Sequence, residues 1–123
     1  MRSRIYTILF ILWIAIILIL TSIPKLHNPL SDKILNIDKL AHLIIYLIFA
    51  FLFTKMNKHK TAKQNATSLI YLALFVPLLD ELHQIPIPGR TFSYYDMMAD
   101  TLGFLVIIIY NKCAKPKLSF SLK

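Results

Sequence analysis

The sequence predicts an all-α fold: a polytopic membrane protein built as a four-transmembrane-helix bundle with both termini cytoplasmic. Three observations predict it. The 123-residue chain is 57% hydrophobic with a mean hydropathy of +0.62, well above a soluble domain. Its apolar residues gather into long runs separated by short polar segments. Its basic residues fall mostly on alternate segments, as they do where positive charge fixes topology. The length suits a single domain over 1–123.

The first span is expected over 5–23. Ile5 to Leu20 contains no charge, and a run of about 20 apolar residues crosses a bilayer core. The run is long for a signal peptide, and no small-residue cleavage site follows it. Trp13 lies mid-run, where packing is its expected role. A polar connector with Pro24, His27 and Asn28 follows, and Ser31-Asp32 is placed to start a short surface helix. The second span, 38–54, opens with Asp38 and Lys39. A basic loop with His59 leads to the third span, 65–82, which contains Pro77, a residue that removes one intrahelical bond and tends to kink the helix. Asn65 begins a glycosylation sequon, to which a cytoplasmic loop gives no weight. Pro88-Gly89 suits a type II turn, and Ser93-x-x-Asp96 reads as a capping box opening the fourth span, 95–111. Gly103 would allow close helix approach there. The tail from Asn111 is basic and expected to fray, and the lone Cys113 reads as an interfacial thiol. One cysteine excludes an intramolecular disulfide and a cysteine-based zinc site.

Lys and Arg number fourteen against six Asp and Glu, a net charge of +8. In a soluble protein this balance would suggest nucleic acid; here it sets topology, and no nucleic-acid partner is predicted. Ten basic residues lie in the N-terminus, the second loop and the tail, and four lie elsewhere. Both termini are therefore expected in the cytoplasm, with all six acids on the outer side.

The outer side holds the polar stretch 80–100. Ranged from basic markers at the cytoplasmic ends, Asp38, Asp80 and Asp96 lie 16 or 17 positions up their helices, one layer. His42 and Asp100 lie in a deeper layer, 13 and 12 positions up. Asp38, His42 and Tyr46 share a helix stripe, as do Asp96, Asp100 and Gly103, and Glu81 lies three positions before Gln84. A charge at this depth is costly and faces the bundle interior or a water-filled cavity. The expected polar site is thus Asp38, Lys39, His42, Asp80, Glu81, Gln84, Arg90, Ser93, Asp96 and Asp100. Five of these are carboxylates, and only Lys39 and Arg90 are fixed cations. Protonation, a charged histidine or a bound cation must balance them. Arg90 is expected to be the main internal partner, its fork bridging two carboxylates. In the plainer structural reading, Asp38, His42, Asp100 and Arg90 are hydrogen-bonding glue that fixes helix order. Phe92, Tyr94 and Tyr95 read as interfacial aromatics, and His83 as a loop residue.

These residues resemble a known family. Asp38-Lys39-x-x-His42, Asp80-Glu81-x-x-Gln84, Pro88-Gly89-Arg90, Ser93-x-x-Asp96 and Asp100-x-x-Gly103, in that order, are similar to the motifs of VanZ-like membrane proteins. The resemblance covers roughly residues 20 to 110. Many members carry Asn where this chain has Asp100, so a role needing charge there is not implied. The resemblance implies a small bacterial cytoplasmic-membrane protein of the cell envelope, multi-pass, in a family whose namesake lowers susceptibility to the lipoglycopeptide teicoplanin. It implies no reaction.

Three functions fit the residues. The first is binding, at the outward-facing polar site, of a membrane lipid, a lipid-linked envelope precursor or an amphiphilic drug. The second is a membrane enzyme on a lipid-linked substrate, using Glu81, Asp96, Asp100 and His42 as acid–base groups. It has no evident serine or cysteine nucleophile. The third is a proton- or cation-coupled transporter. No cofactor and no metal site are predicted, although the carboxylates are hard donors that suit Mg²⁺ or Ca²⁺. The sequence sets no oligomeric state.

Overall fold

Where no water is available, a chain satisfies its backbone polar groups only as helices or closed barrels, and runs of Ile, Leu, Phe and Ala separated by polar turns give helices. The computed structural model describes residues 2–24 and 31–114. Its elements are α1 (Arg2–Ser22), α2 (Ser31–Met56), α3 (Ala62–Gln84) and α4 (Tyr94–Cys113). The connector at 25–30, with His27 and Asn28, lies outside the described residues, as does the tail beyond Ala114.

Three helices are long and apolar enough to cross a membrane, over Arg4–Ser22, Ile37–Met56 and Ala62–Gln84. α4 is not among them; Asp96 and Asp100 occupy its first two turns. The surface matches a lipid solvent. Ile8, Ile19, Leu74, Leu79 and Ile109 stand out from the bundle, each about 60% exposed.

The helix started by Ser31-Asp32 is not a separate surface piece. It continues without a break to Met56, so α2 has 26 residues and measures roughly 39 Å. That exceeds the ~30 Å bilayer core, and its first turns stand beyond the span. α3 is started by Thr61, whose side chain accepts from Gln64 N–H while the Gln64 side chain accepts from Thr61 N–H. This reciprocal cap satisfies two otherwise orphaned donors. α3 then runs on through the buried Pro77.

The chain goes up, down, up and down. Trp13 Nε1 donates to Ile45 O at 3.0 Å, and Phe10 stacks edge-on against Phe49 at 4.9 Å, which sets α1 antiparallel to α2. His42 pairs with Asp100 and Thr54 with Asn111, so α2 and α4 run parallel. They share the most extensive contact in the bundle. Trp13 is thus a packing residue, and its N–H finds a partner as a half-buried indole usually does. Gly103 is buried against α2: a Cβ there would lie 2.7 Å from Leu43 O and from Leu47 N. The mid-bundle core is Ile17, Tyr46, Phe49, Leu69, Phe104 and Ile107, with Phe104 between Tyr46 and Phe49 at 5.8 and 5.5 Å. Arg4, Lys55, Lys63 and Lys112 mark one end of the bundle. The polar residues between α3 and α4 mark the other.

Candidate functional site

All ten residues of the expected polar site meet at that second end. The connection begins at the α3–α4 turn. Arg90 N–H donates to Ile87 O at 3.1 Å, and Gly89 has φ 74°. This is the type II geometry that Pro88-Gly89 favours, with glycine at the position that needs positive φ. The turn holds Arg90 over the bundle.

Among the described residues Arg90 bridges no carboxylates. Its Nε donates to Ile23 O at 3.3 Å, one terminal nitrogen donates to Leu20 O at 3.1 Å, and the other donates to Gln84 Oε1 at 3.3 Å. Carbonyls at a helix C-terminus lack intrahelical donors, and the planar fork reaches one in the last turn of α1, Leu20 O, and one just beyond it, Ile23 O. Gln84 in turn donates through Nε2 to Asp80 Oδ2 at 3.3 Å. Arg90 therefore ties α1 to the α3–α4 turn and reaches Asp80 only through an amide.

The capping box of α4 is half formed. Ser93 is the N-cap, and its hydroxyl accepts from Asp96 N–H at 3.3 Å. The reciprocal bond is missing, because Ser93 N–H donates to Glu81 Oε2 at 2.7 Å. A buried carboxylate from α3 takes the donor that Asp96 would otherwise occupy. This leaves Asp96 aimed elsewhere, and its Oδ1 has no hydrogen-bond partner.

Deeper in the bundle, His42 Nδ1 and Asp100 Oδ1 are hydrogen-bonded at 2.9 Å, with the two side chains 7% and 0% exposed. They join α2 to α4 at one level, as their matching positions along the helices predict. Asp100 Oδ2 and Glu81 Oε1 are likewise buried without a partner. Around His42 the donors converge twice. Single ligand atoms of Asp38, His42 and Asp96 lie within 4.8 Å of one another, and so do those of His42, Asp80 and Asp100.

Two cavities open here. One, of about 210 Å³, is lined by Asp38, His42, Tyr46, Asp80, Arg90 and Thr21 among others. The second, of about 360 Å³, is lined by Asp38, Lys39, Arg90, Ser93 and Asp96 with Phe92, Tyr94 and Tyr95. Asp38 and Arg90 face both. Tyr94 and Tyr95 are exposed, and Lys39 Nζ sits over the Tyr95 ring, 5.8 Å from its centre.

His83 belongs to the last turn of α3 rather than to the loop, and its Nε2 lies 3.0 Å from Ser22 Oγ at the end of α1. That contact and the Arg90 clasp were not legible from side-chain pattern. The unsatisfied C-terminal carbonyls of α1 were the available signal. Asn65 is buried, and its amide donates to Asn57 O at 3.3 Å, so the sequon asparagine offers no surface for a glycan.

No curated protein and no solved structure matches the chain. A family model described as VanZ/LLP1 matches residues 3–114, which takes in all four helices apart from the first residue of α1 and every residue of the polar cluster. The chain belongs to the VanZ/LLP1 family.

Proposed function

We propose that this VanZ-like protein is a four-span protein of the bacterial cytoplasmic membrane, with both termini inside, whose outward polar site binds an amphiphile with an anionic head. That ligand is a membrane lipid or a lipid-linked envelope precursor. Capture of the precursor, or of a lipoglycopeptide such as teicoplanin, would lower susceptibility to the drug. The observation that carries this reading is the 360 Å³ cavity, where Lys39 and Arg90 stand beside Phe92, Tyr94 and Tyr95. Cations beside amphipathic rings suit a phosphate or carboxylate head at a membrane interface. α4 supports a fourth span: Asp96 and Asp100 are buried inward, while Leu102, Leu105, Val106 and Ile109 face out.

Orientation is checked by Cys113, the chain's single and exposed cysteine. A membrane-impermeant maleimide should leave it unlabelled in intact cells and label it after permeabilisation. Labelling in intact cells would reverse the topology. Ligand binding is checked with labelled isoprenoid-linked precursor, labelled phospholipid and labelled teicoplanin. Arg90→Ala should bind the true ligand about tenfold more weakly, the loss of one charge-assisted hydrogen bond. Equal binding by the two proteins removes Arg90 from the site. Teicoplanin susceptibility of cells expressing alanine variants at His42, Glu81, Arg90 and Asp96 asks whether the site matters in the envelope.

The His42–Asp100 hydrogen bond beside Asp38, Asp80 and Asp96 keeps a second reading, a membrane enzyme on a lipid-linked substrate. Turnover of isoprenoid or phospholipid substrates by the purified protein, lost in His42→Ala, would favour it over binding alone.

A further inference from the structure

Asp38, Asp80, Asp96 and Asp100 surround one imidazole. Arg90, expected to neutralise them, instead donates to two backbone carbonyls and an amide. Carboxylates out of water are stable only when paired, hydrogen-bonded or bound to metal. Yet Asp100 Oδ2 and Asp96 Oδ1 are buried and lack a hydrogen-bond partner, in residues 0% and 6% exposed. Asp80, by contrast, has a partner in Gln84.

We propose that His42, Asp80 and Asp100 are ligands of a divalent transition-metal ion, with Asp38 and Asp96 forming a second group of donors around the same histidine. The distances fit. Metal–ligand bonds of about 2.1 Å place neighbouring octahedral ligands about 3.0 Å apart and opposite ones about 4.2 Å apart. The His42 nitrogen and the Asp100 oxygen are already 2.9 Å apart, and all three donor atoms lie within 4.8 Å of one another. Binding therefore needs only small side-chain movements. The proton between His42 and Asp100 gives way to the ion, and the coordinating ring nitrogen presents its lone pair. The cavity lined by Asp38, His42 and Asp80 is the entry path.

The donor set also selects the ion. Carboxylates alone would suit Mg²⁺ or Ca²⁺, but an imidazole at the centre favours first-row metals such as Mn²⁺ or Zn²⁺. The site does not depend on the amphiphile reading, because its ligands lie beneath the aromatic rim.

The test uses the full-length protein in detergent micelles, stripped with a chelator and titrated with Mn²⁺. One tightly bound ion per chain is expected by electron paramagnetic resonance, with echo modulation from a directly bound imidazole nitrogen. Zn²⁺ should displace it; equimolar Mg²⁺ should not. His42→Gln should weaken binding more than about 100-fold, since loss of even a supporting outer residue costs 10–100-fold, and should abolish the nitrogen signal. The wild-type spectrum decides the matter even if that variant does not fold. Absence of Mn²⁺ binding at millimolar concentration overturns the proposal. So does bound Mn²⁺ without nitrogen coupling, or displacement by Mg²⁺ as effective as that by Zn²⁺.

Discussion

Gly103→Ala is expected to destabilise the bundle by about 1–3 kcal/mol, the usual cost of forcing a methyl group into a filled interface, and Gly103→Leu to prevent folding. The added carbon would sit 2.7 Å from Leu43 O, 2.7 Å from Leu47 N and 3.0 Å from the Tyr46 carbonyl carbon. All three are backbone atoms of α2, so no rotamer change relieves the contact. The helices must part instead. The consequence reaches the polar site, because Asp100 lies one turn before Gly103 and His42 immediately precedes Leu43. Parting α2 from α4 there stretches the His42–Asp100 bond. Thermal unfolding in detergent checks the prediction, and a melting temperature equal to that of the wild type would show that α2 and α4 do not meet at Gly103.

The second large effect concerns the buried pair. His42→Ala is expected to cost about 1–3 kcal/mol, the range for leaving a buried acceptor without its hydrogen-bond donor. Asp100→Asn should cost only about 1 kcal/mol, since an amide oxygen still accepts from the ring. The double variant, with Asp100→Leu and His42→Ala, should cost less than the sum of Asp100→Leu and His42→Ala made singly, because neither group is then stranded. The measurements are made with chelator present, so that metal binding does not add its own stabilisation. Single effects that sum to within about 0.5 kcal/mol of the double variant would mean that the two residues act independently.

Much of this arrangement is legible in the residues themselves. Apolar run length locates the helices, because in lipid only a helix satisfies a single spanning segment's backbone. The i, i+4 spacing of Asp38 and His42, and of Asp96 and Asp100, places each pair on one face. Counting positions from the basic ends predicts that His42 and Asp100 stand at equal depth, and their 2.9 Å contact meets that expectation. Gly103 three residues beyond Asp100 marks the face that α2 approaches.

What the chain's local pattern does not decide is which donor meets which acceptor. Arg90 has five N–H groups and a choice between carboxylates and carbonyls; the end of α1, 67 residues earlier in the chain, settles it. Ser93 and Asp96 have the spacing of a reciprocal cap, yet Glu81 from α3 takes the Ser93 N–H at 2.7 Å. The helices, the inward stripes and the common depth of the polar groups follow from local periodicity and from the cost of charge in an apolar medium, and can be read along the chain. Packing in three dimensions draws the arginine to the carbonyl end of α1 and Glu81 to the start of α4. Competition among hydrogen-bonding groups is resolved by proximity in space, and that same competition leaves Asp96 Oδ1 buried without a hydrogen-bond partner.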